Sequence, residues 1–174
     1  MKACVDIGGT KVAVSLNDGA GLELVARRSE PTAKEGDNGA LARQIIRMVD
    51  EACAEQRVSP ASVDRAGVSS AGPFVMRQGL IELASPNICG GLAGPARGLP
   101  NDWKTALLEA PLRQRFREVR VENDCVAALE AERRWGALQG FDHCAYITWS
   151  TAGSCVSPGR LCTRSVGSSR RKSR

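Results

Sequence analysis

The chain has 174 residues, of which 43% are hydrophobic, and it carries a formal net charge of +5. This length allows one ordinary hydrophobic core, so a second full-sized domain is not expected. No apolar run approaches the roughly 20 residues that cross a bilayer, and Asp6 interrupts the start of the chain where a secretory signal would continue. We therefore expect a cytoplasmic protein without a membrane partner.

The positive charge is concentrated at the carboxyl end. Residues 152–174 hold six basic side chains and no acidic one, whereas residues 1–151 hold 18 basic and 19 acidic side chains. The end segment also contains six serines and lacks the period of a helix or a strand. We expect one folded domain over residues 1–151 and a disordered basic tail over residues 152–174. Nucleic acid is disfavoured as a partner because the body of the chain is nearly neutral.

The spacing of the cysteines disfavours metal and redox chemistry. The seven cysteines are scattered, no two are spaced as C-x-x-C, and His143 is the only histidine. Zinc ligands normally come in close pairs, while free thiols in apolar stretches behave as small buried hydrophobes. We expect structural cysteines and no metal held by a cluster of side chains.

The periodicity of apolar residues predicts strands that alternate with helices. The predicted strands are residues 2–6, 11–16, 22–29, 65–69, 79–83, 118–122 and 144–149. Predicted helices begin at residues 37–38, at 101–102 and at 124; the second stops near Pro111, and the third ends at Gly136 in a left-handed cap. The first three strands would form an antiparallel meander, and the alternation that follows indicates an α/β domain.

The turn between the first two strands reads "DIGGTK", residues 6–11. In a plain hairpin, Gly8 and Gly9 would supply the positive φ angles of a tight turn. In a phosphate-binding turn, adjacent glycines let backbone N–H groups approach phosphate oxygens, and Thr10 and Lys11 add a hydroxyl and a charge. Asp6 can then hold a magnesium-bound water. The P-loop pattern G-x-x-x-x-G-K-[ST] is absent, so we favour a phosphate-binding hairpin.

A second polar cluster, Glu122-Asn123-Asp124, stands where a predicted strand ends and a helix begins. Asn123 or Asp124 can be simply the N-cap of that helix. A carboxylate at this position is also favoured in its ionised form by the helix dipole, and α/β folds bind ligands at the carboxyl ends of strands. Asp124 can therefore accept a proton from a hydroxyl that attacks a phosphoryl group.

Together these motifs resemble the ROK family of repressors, open reading frames and sugar kinases, within the sugar kinase, actin and Hsp70 superfold. The resemblance runs in order through "VDIGGTKVAVSL", "AGVSSAGPF", "GLIELASPNICG", "VRVENDCVAALEAERRWG" and "YITWST" and covers residues 1–151. It implies an actin- and hexokinase-like (ribonuclease H-like) ATPase domain. The mixed sheet of that fold opens with an antiparallel meander and has helices packed on it.

The resemblance also implies an activity, namely ATP- and Mg²⁺-dependent phosphorylation of a hexose hydroxyl, with glucose as the hexose. The aspartate that matches Asp124 is the catalytic base of the family. Contacts to ATP are implied for Asp6, Gly8, Gly9, Thr10, Lys11 and Thr151. Contacts to the sugar are implied for Gly72, Asn87 and Asn123. Without the resemblance, Asn87 can equally be a loop residue that satisfies its own backbone. Family members are commonly dimers or tetramers.

The chain departs from the family pattern in two places. The usual Gly-x-Pro-Gly turn reads Ala71-Gly72-Pro73-Phe74, which makes sugar contacts near Gly72 less secure. After Thr151 the family continues with a second glycine-rich turn and a second domain that carries a zinc motif, whereas this chain continues as the basic tail. We expect a truncated or frameshifted ending without that domain and its zinc site. The rival interpretation is a genuine tail that binds nucleic acid electrostatically.

Two alternatives to an active kinase stay open. The chain can be an inactive remnant that binds sugar or nucleotide weakly, because closure of two domains normally excludes water from such sites. It can also be a transcriptional regulator of the same family. Regulators place a helix-turn-helix before the phosphate motif, and the first predicted strand here starts at about Lys2, so we prefer kinase ancestry.

Overall fold

The computed structural model describes residues 1–91, 98–148 and 154–156. The chain forms two compact units, Met1–Glu122 and Asn123–Arg174. In the described residues no helix has both the length and the apolar character needed to cross a bilayer.

The first unit is built on a mixed sheet, which has five strands in the described part of the chain. These strands are β1 (Lys2–Ile7), β2 (Lys11–Asn17), β3 (Val25–Pro31), β4 (Arg65–Ser70) and β8 (Glu118–Asn123), whose last residue opens the second unit. Across the sheet they follow the order β3-β2-β1-β4-β8. β2 pairs antiparallel with both β1 and β3, and β1 pairs parallel with β4. The predicted opening meander and mixed sheet are confirmed.

Helix α1 (Ala40–Glu55) packs against β2 and β3. Its apolar residues recur every three or four positions and form a stripe that is fully buried in the core. They are Leu41, Ile45, Met48, Val49, Ala52 and Cys53. Inward-facing side chains of β1 and β2, such as Ile7 and Val14, complete this core. The helix therefore forms because its 3.6-residue period gives one continuous apolar face to the sheet.

A rim of charged residues joins β3 to the outer side of α1. Arg28 on β3 pairs with Glu51 and Glu55, and Arg47 on α1 pairs with Glu30 and Glu51. The hydrogen bond from Arg47 is the main cause that lowers the pKa of Glu30. These pairs are half-exposed, so each contributes little to stability on its own.

A small antiparallel sheet and a short helix follow β4. The strands are β5 (Phe74–Arg77), β6 (Leu80–Leu83) and β7 (Ala106–Leu107), and the helix is α2 (Glu109–Arg115). The buried carboxylate of Glu109 accepts a hydrogen bond from the Ile81 N–H at 2.8 Å and pairs with Arg113. Glu82, also buried, accepts a bond from the Thr105 hydroxyl. The buried charges in this region are thus paired, as burial requires.

The predicted helix at residues 101–109 is wrong. Residues 101–105 are not helical, β7 follows them, and α2 begins only at Glu109. Pro111 lies in the first turn of α2 rather than at a helix end. Proline is tolerated there because an N–H in the first turn has no partner inside the helix. β5 was not predicted, and β3 begins at Val25, later than predicted.

In the second unit, Asn123 is followed by helix α3 (Asp124–Trp135), which matches the predicted range. Strands β9 (Tyr146–Thr148) and β10 (Ser154–Val156) pair antiparallel. Gly136, which follows α3, has φ −106° and ψ −152°, so the predicted left-handed cap is wrong. Trp149, the last residue of the predicted strand, lies outside the described residues.

Five cysteines have described side chains, and all five are free thiols. Cys53, Cys89 and Cys125 are buried. Burial raises the pKa of the Cys53 and Cys89 thiols. These positions therefore behave as the packing residues that the sequence predicts.

Candidate active site

The glycine turn, residues 8–11, links β1 to β2. The Gly8 N–H donates to the Lys11 carbonyl at 2.9 Å, and Ile7 and Val12 form the last pair of the ladder. Neither Gly8 nor Gly9 is among the described glycines with positive φ, so the plain-hairpin explanation of these residues is wrong. Space is the physical reason at Gly9, because a Cβ there would lie 2.7 Å from the Cβ of Asn87.

Three side chains of the "DIGGTK" motif reach solvent. Asp6, Thr10 and Lys11 are exposed, and they make no side-chain hydrogen bond or ion pair within the described part of the chain. A carboxylate, a hydroxyl and an ammonium group are therefore free to meet a ligand at one edge of the sheet.

The parallel pairing of β1 with β4 brings a second turn to the glycine turn. The register sets Ile7 beside Ser70, so both strands end at the same edge of the sheet. The Ala71 N–H then donates to the Ile7 carbonyl at 3.3 Å. Gly72 follows directly, and its peptide bond to Pro73 is cis. The predicted sugar-contacting residue Gly72 thus lies beside the turn predicted to contact phosphate.

Asn87 lies on an exposed loop and packs against Gly9. Its side-chain amide makes no hydrogen bond within the described part of the chain, in contrast to the alternative in which it satisfies its own backbone. A loose helical turn supports the loop, because the N–H groups of Ile88 and Cys89 both donate to the Ser85 carbonyl. The structure therefore brings Asn87, Gly72 and the glycine turn together.

Two side chains that the sequence did not assign to the site hold its loops. The buried Thr32 donates its hydroxyl to the Gly8 carbonyl at 2.8 Å. Asn101 donates to the carbonyls of Lys34 at 2.7 Å and Ile88 at 3.0 Å, rather than capping a helix as predicted. These bonds span 24, 67 and 13 positions of the chain, so no local sequence pattern could have announced them.

A further backbone bond closes the base of the loop that follows Asn87. The Gly90 N–H donates to the Trp103 carbonyl at 2.9 Å, and the Trp103 indole N–H donates to the Gly36 carbonyl at 2.9 Å. Gly90 and Trp103 are therefore held to each other, and Trp103 is also bound to Gly36.

In the second unit, Asn123 is the N-cap of α3. Its side chain accepts the Cys125 N–H at 3.1 Å, and Asp124 Oδ1 accepts the same N–H at 2.8 Å. The capping interpretation is thus confirmed for Asn123. Asp124 is exposed in the first turn of α3. Its approach to the glycine turn stays a prediction, and Thr151 lies outside the described residues.

The mixed sheet, its opening meander and the turns gathered at one edge define an α/β domain of the actin- and hexokinase-like class. The sequence model of the ROK family matches residues 2–167. The chain belongs to the ROK family. That match extends past residue 151, and the division of the chain at that residue stays a prediction.

Known relatives include sugar kinases. The chain is 30% identical over 167 residues to a glucokinase from Aeropyrum pernix, a match that covers 94% of this chain and 45% of that protein. The ROK hexokinase from Thermus thermophilus superposes with a TM-score of 0.60 at 28% identity, over 89% of this chain and 44% of that one. The chain thus spans about half the length of the relatives it matches.

A regulator has the same fold. A ROK family transcriptional regulator, a homologue of the E. coli MLC protein, superposes with a TM-score of 0.60 at 18% identity, over 95% of this chain and 40% of that one. At this identity the likeness extends to the fold alone.

Proposed function

We propose that this chain belongs to a cytoplasmic, ATP-dependent hexose kinase and supplies its phosphate-binding turn, part of its sugar site and its catalytic base. The observation that supports this most is the packing of Asn87 against Gly9: a Cβ added to Gly9 would lie 2.7 Å from the Cβ of Asn87. A group suited to a sugar hydroxyl and a turn suited to phosphate are in direct contact. Transfer between two substrates needs such proximity.

The residues of the glycine turn fit a nucleotide phosphate with its magnesium ion. Thr10 and Lys11 offer a hydroxyl donor and a positive charge, and Asp6 offers a carboxylate. Mg²⁺ keeps several waters and takes one or two carboxylates together with substrate phosphates. Within the described residues no three His, Cys, Asp or Glu side chains are grouped to hold a metal ion. In our proposal the metal is carried by the nucleotide. When bound, Mg²⁺ would neutralise charge on the phosphates.

Phosphoryl transfer requires mainly positioning and charge neutralisation. In our proposal the amides of Asn87 and Asn123 orient the sugar, since an amide both donates and accepts hydrogen bonds. Asp124 accepts the proton of the attacking hydroxyl, and Lys11 neutralises charge on the transferred group. Glucose is the proposed hexose because the relative from Aeropyrum pernix is a glucokinase.

A coupled assay with glucose and MgATP tests the proposal. We expect Asp124→Ala to lower kcat by about 10²- to 10⁴-fold, the usual contribution of a general base, with little change in thermal unfolding. The matched control is Asp142→Ala, which removes another exposed aspartate of the second unit and should keep full activity. Turnover that survives Asp124→Ala would contradict the assigned role.

The second candidate is a catalytically inactive remnant that still binds nucleotide or sugar. It would bind its ligand with the same glycine turn and the same Asn87. Calorimetric titrations with MgADP and with glucose separate the two candidates. Binding of either ligand without turnover identifies the remnant, whereas turnover that depends on Asp124 identifies the kinase.

A further inference from the structure

Thr32 lies directly after β3, at the start of the connector, which we define as residues 32–39 between β3 and α1. Its side chain is buried, with 6% of its surface exposed. The hydroxyl donates to the Gly8 carbonyl at 2.8 Å, and the Thr32 N–H donates to the Thr10 carbonyl at 3.1 Å. One buried residue therefore binds the glycine turn at two points.

We propose that Thr32 is a positioning residue that holds the glycine turn in the shape that receives nucleotide phosphates, an inference that rests on the proposed function. Phosphate oxygens are attracted by N–H groups and repelled by carbonyl oxygens. Three carbonyls of the turn are already engaged: Thr32 takes those of Gly8 and Thr10, and the Gly8 N–H takes that of Lys11. The N–H groups of Gly9 and Thr10 donate to no acceptor in the described part of the chain. Thr32 thus occupies carbonyl oxygens of the turn, and the N–H groups of Gly9 and Thr10 stay available to a ligand.

Thr32 is itself held from helix α1. The buried Gln44 side chain accepts the Ala33 N–H at 2.8 Å and donates to the Pro31 carbonyl at 2.8 Å. These bonds fix the backbone on both sides of Thr32. Its hydroxyl is therefore directed at Gly8 by the packed core.

The connector also reaches the sugar side of the proposed site. Asn101 binds the carbonyl of Lys34 in the connector and that of Ile88, the neighbour of Asn87. The glycine turn and the Asn87 loop are consequently anchored to one segment. The connector sets the spacing between the groups proposed for phosphate and for sugar.

The test compares Thr32→Val with Thr32→Ser in the full chain. Valine keeps the shape and the backbone bond but removes the hydroxyl donor, and serine restores that donor. The matched control is Thr105→Val, which removes another buried hydroxyl donor of the first unit, the one that binds Glu82. Two quantities are measured: the hydrogen exchange rate of the Gly8 amide by NMR without ligand, and the dissociation constant of MgADP by calorimetry.

For Thr32→Val we expect faster exchange of the Gly8 amide and MgADP binding weakened about fivefold to tenfold, the effect of losing one hydrogen bond. Thr32→Ser and Thr105→Val should stay within about twofold of the parent protein in MgADP affinity, even where Thr105→Val lowers the unfolding temperature. Rescue by serine separates positioning from general stability.

Unchanged Gly8 exchange in Thr32→Val would overturn the positioning role. Faster exchange with unchanged MgADP affinity would overturn its link to phosphate binding, as would an equal loss of affinity in Thr105→Val. If the parent protein binds no MgADP, the proposed function fails, while the exchange rates still decide whether Thr32 positions the turn.

Discussion

The glycine turn and the start of α3 serve neighbouring steps of the proposed chemistry. Residues distant in sequence hold the turn, whereas adjacent residues hold the start of α3. The turn depends on Thr32, 24 positions away from Gly8, and on contact with Asn87. The start of α3 depends on bonds from the Cys125 N–H to Asn123 and Asp124, two positions and one position away. A tertiary site and a local site therefore contribute to one proposed function. Changes at the turn should spread to other loops, whereas changes at the start of α3 should stay local.

The largest expected effect comes from Gly9→Ala. The added Cβ would lie 2.7 Å from the Cβ of Asn87, so the turn or the Asn87 loop has to move. We expect a loss of about 1–3 kcal/mol in the free energy of unfolding, as for other overpacked sites. Weaker binding of both MgADP and glucose should accompany it. Urea unfolding and calorimetric titration measure these quantities.

Gly67→Ala on β4 is the control for that variant. A Cβ at Gly67 meets no atom within 4 Å, so its stability should change by less than about 0.5 kcal/mol. If Gly9→Ala were as stable as the parent and bound both ligands equally well, the turn and the Asn87 loop would not depend on each other.

A second long-range effect, which weakens the use of one substrate rather than of both, is expected from Asn101→Ala. The change leaves the Lys34 and Ile88 carbonyls without their donor and should cost about 1–3 kcal/mol. Because Ile88 adjoins Asn87, KM for glucose should rise more than KM for MgATP. Steady-state kinetics with each substrate varied in turn measures the split.

Asn17→Ala is matched to Asn101→Ala by its bonding. Each of the two amides donates to two backbone carbonyls and accepts the N–H two residues further on, which for Asn101 is that of Trp103. Asn17, however, lies at the other end of β2. We expect a similar loss of stability with unchanged KM values. Equal rises in both KM values for the two variants would show that Asn101 affects only overall stability.

A local effect is expected from Asn123→Ala, which removes the cap of α3 and should cost about 0.5–2 kcal/mol. Asn123→Ser keeps a capping oxygen but lacks the amide, so it should restore stability without restoring sugar affinity. Thermal unfolding and glucose titration of both variants separate the two roles. Full glucose affinity in Asn123→Ser would remove this residue from the proposed sugar site.

The smallest effect concerns Glu30 on β3, whose pKa is lowered mainly by the hydrogen bond from Arg47. A carboxylate with a lowered folded-state pKa stabilises the fold above its unfolded pKa of about 4.3, and this contribution is lost as the pH falls through the folded value. Unfolding free energy should therefore drop less steeply below about pH 4.3 in Glu30→Gln than in the parent. Urea unfolding across this range measures the difference, with the exposed Glu35→Gln as control. Parallel curves for the parent and Glu30→Gln would show that this charged rim does not help to hold β3.

The sequence predicts those parts of the fold whose period is strong. The buried stripe of α1 and the range of α3 follow from apolar spacing. The "DIGGTK" and Glu122-Asn123-Asp124 motifs supply polar residues of the proposed site. The helix predicted at residues 101–109 is wrong because Asn101 resembles a helix cap in sequence but bonds to distant carbonyls. Propensity describes the local chain, and a tertiary bond overrides it.

The supports of the site were beyond prediction for the same reason. Thr32 and Gln44 act on backbone atoms of residues that become neighbours only in the folded sheet. Hydrogen bonds to backbone leave no preferred residue type at the accepting position, so no motif records them. The plain-hairpin alternative explained the glycines of the turn by positive φ, whereas a close approach to Asn87 requires Gly9. The favoured explanation, contact with phosphate, stays a prediction.

The bond between Gly90 and Trp103 has a consequence for engineering. The residues between its two ends include Asn101, which itself binds Ile88, the neighbour of Asn87. A peptide inserted between Gly90 and Trp103 would therefore act directly on the Asn87 loop. A fluorophore-binding peptide or an affinity tag that is meant to report on the protein without disturbing its chemistry accordingly belongs elsewhere in the chain.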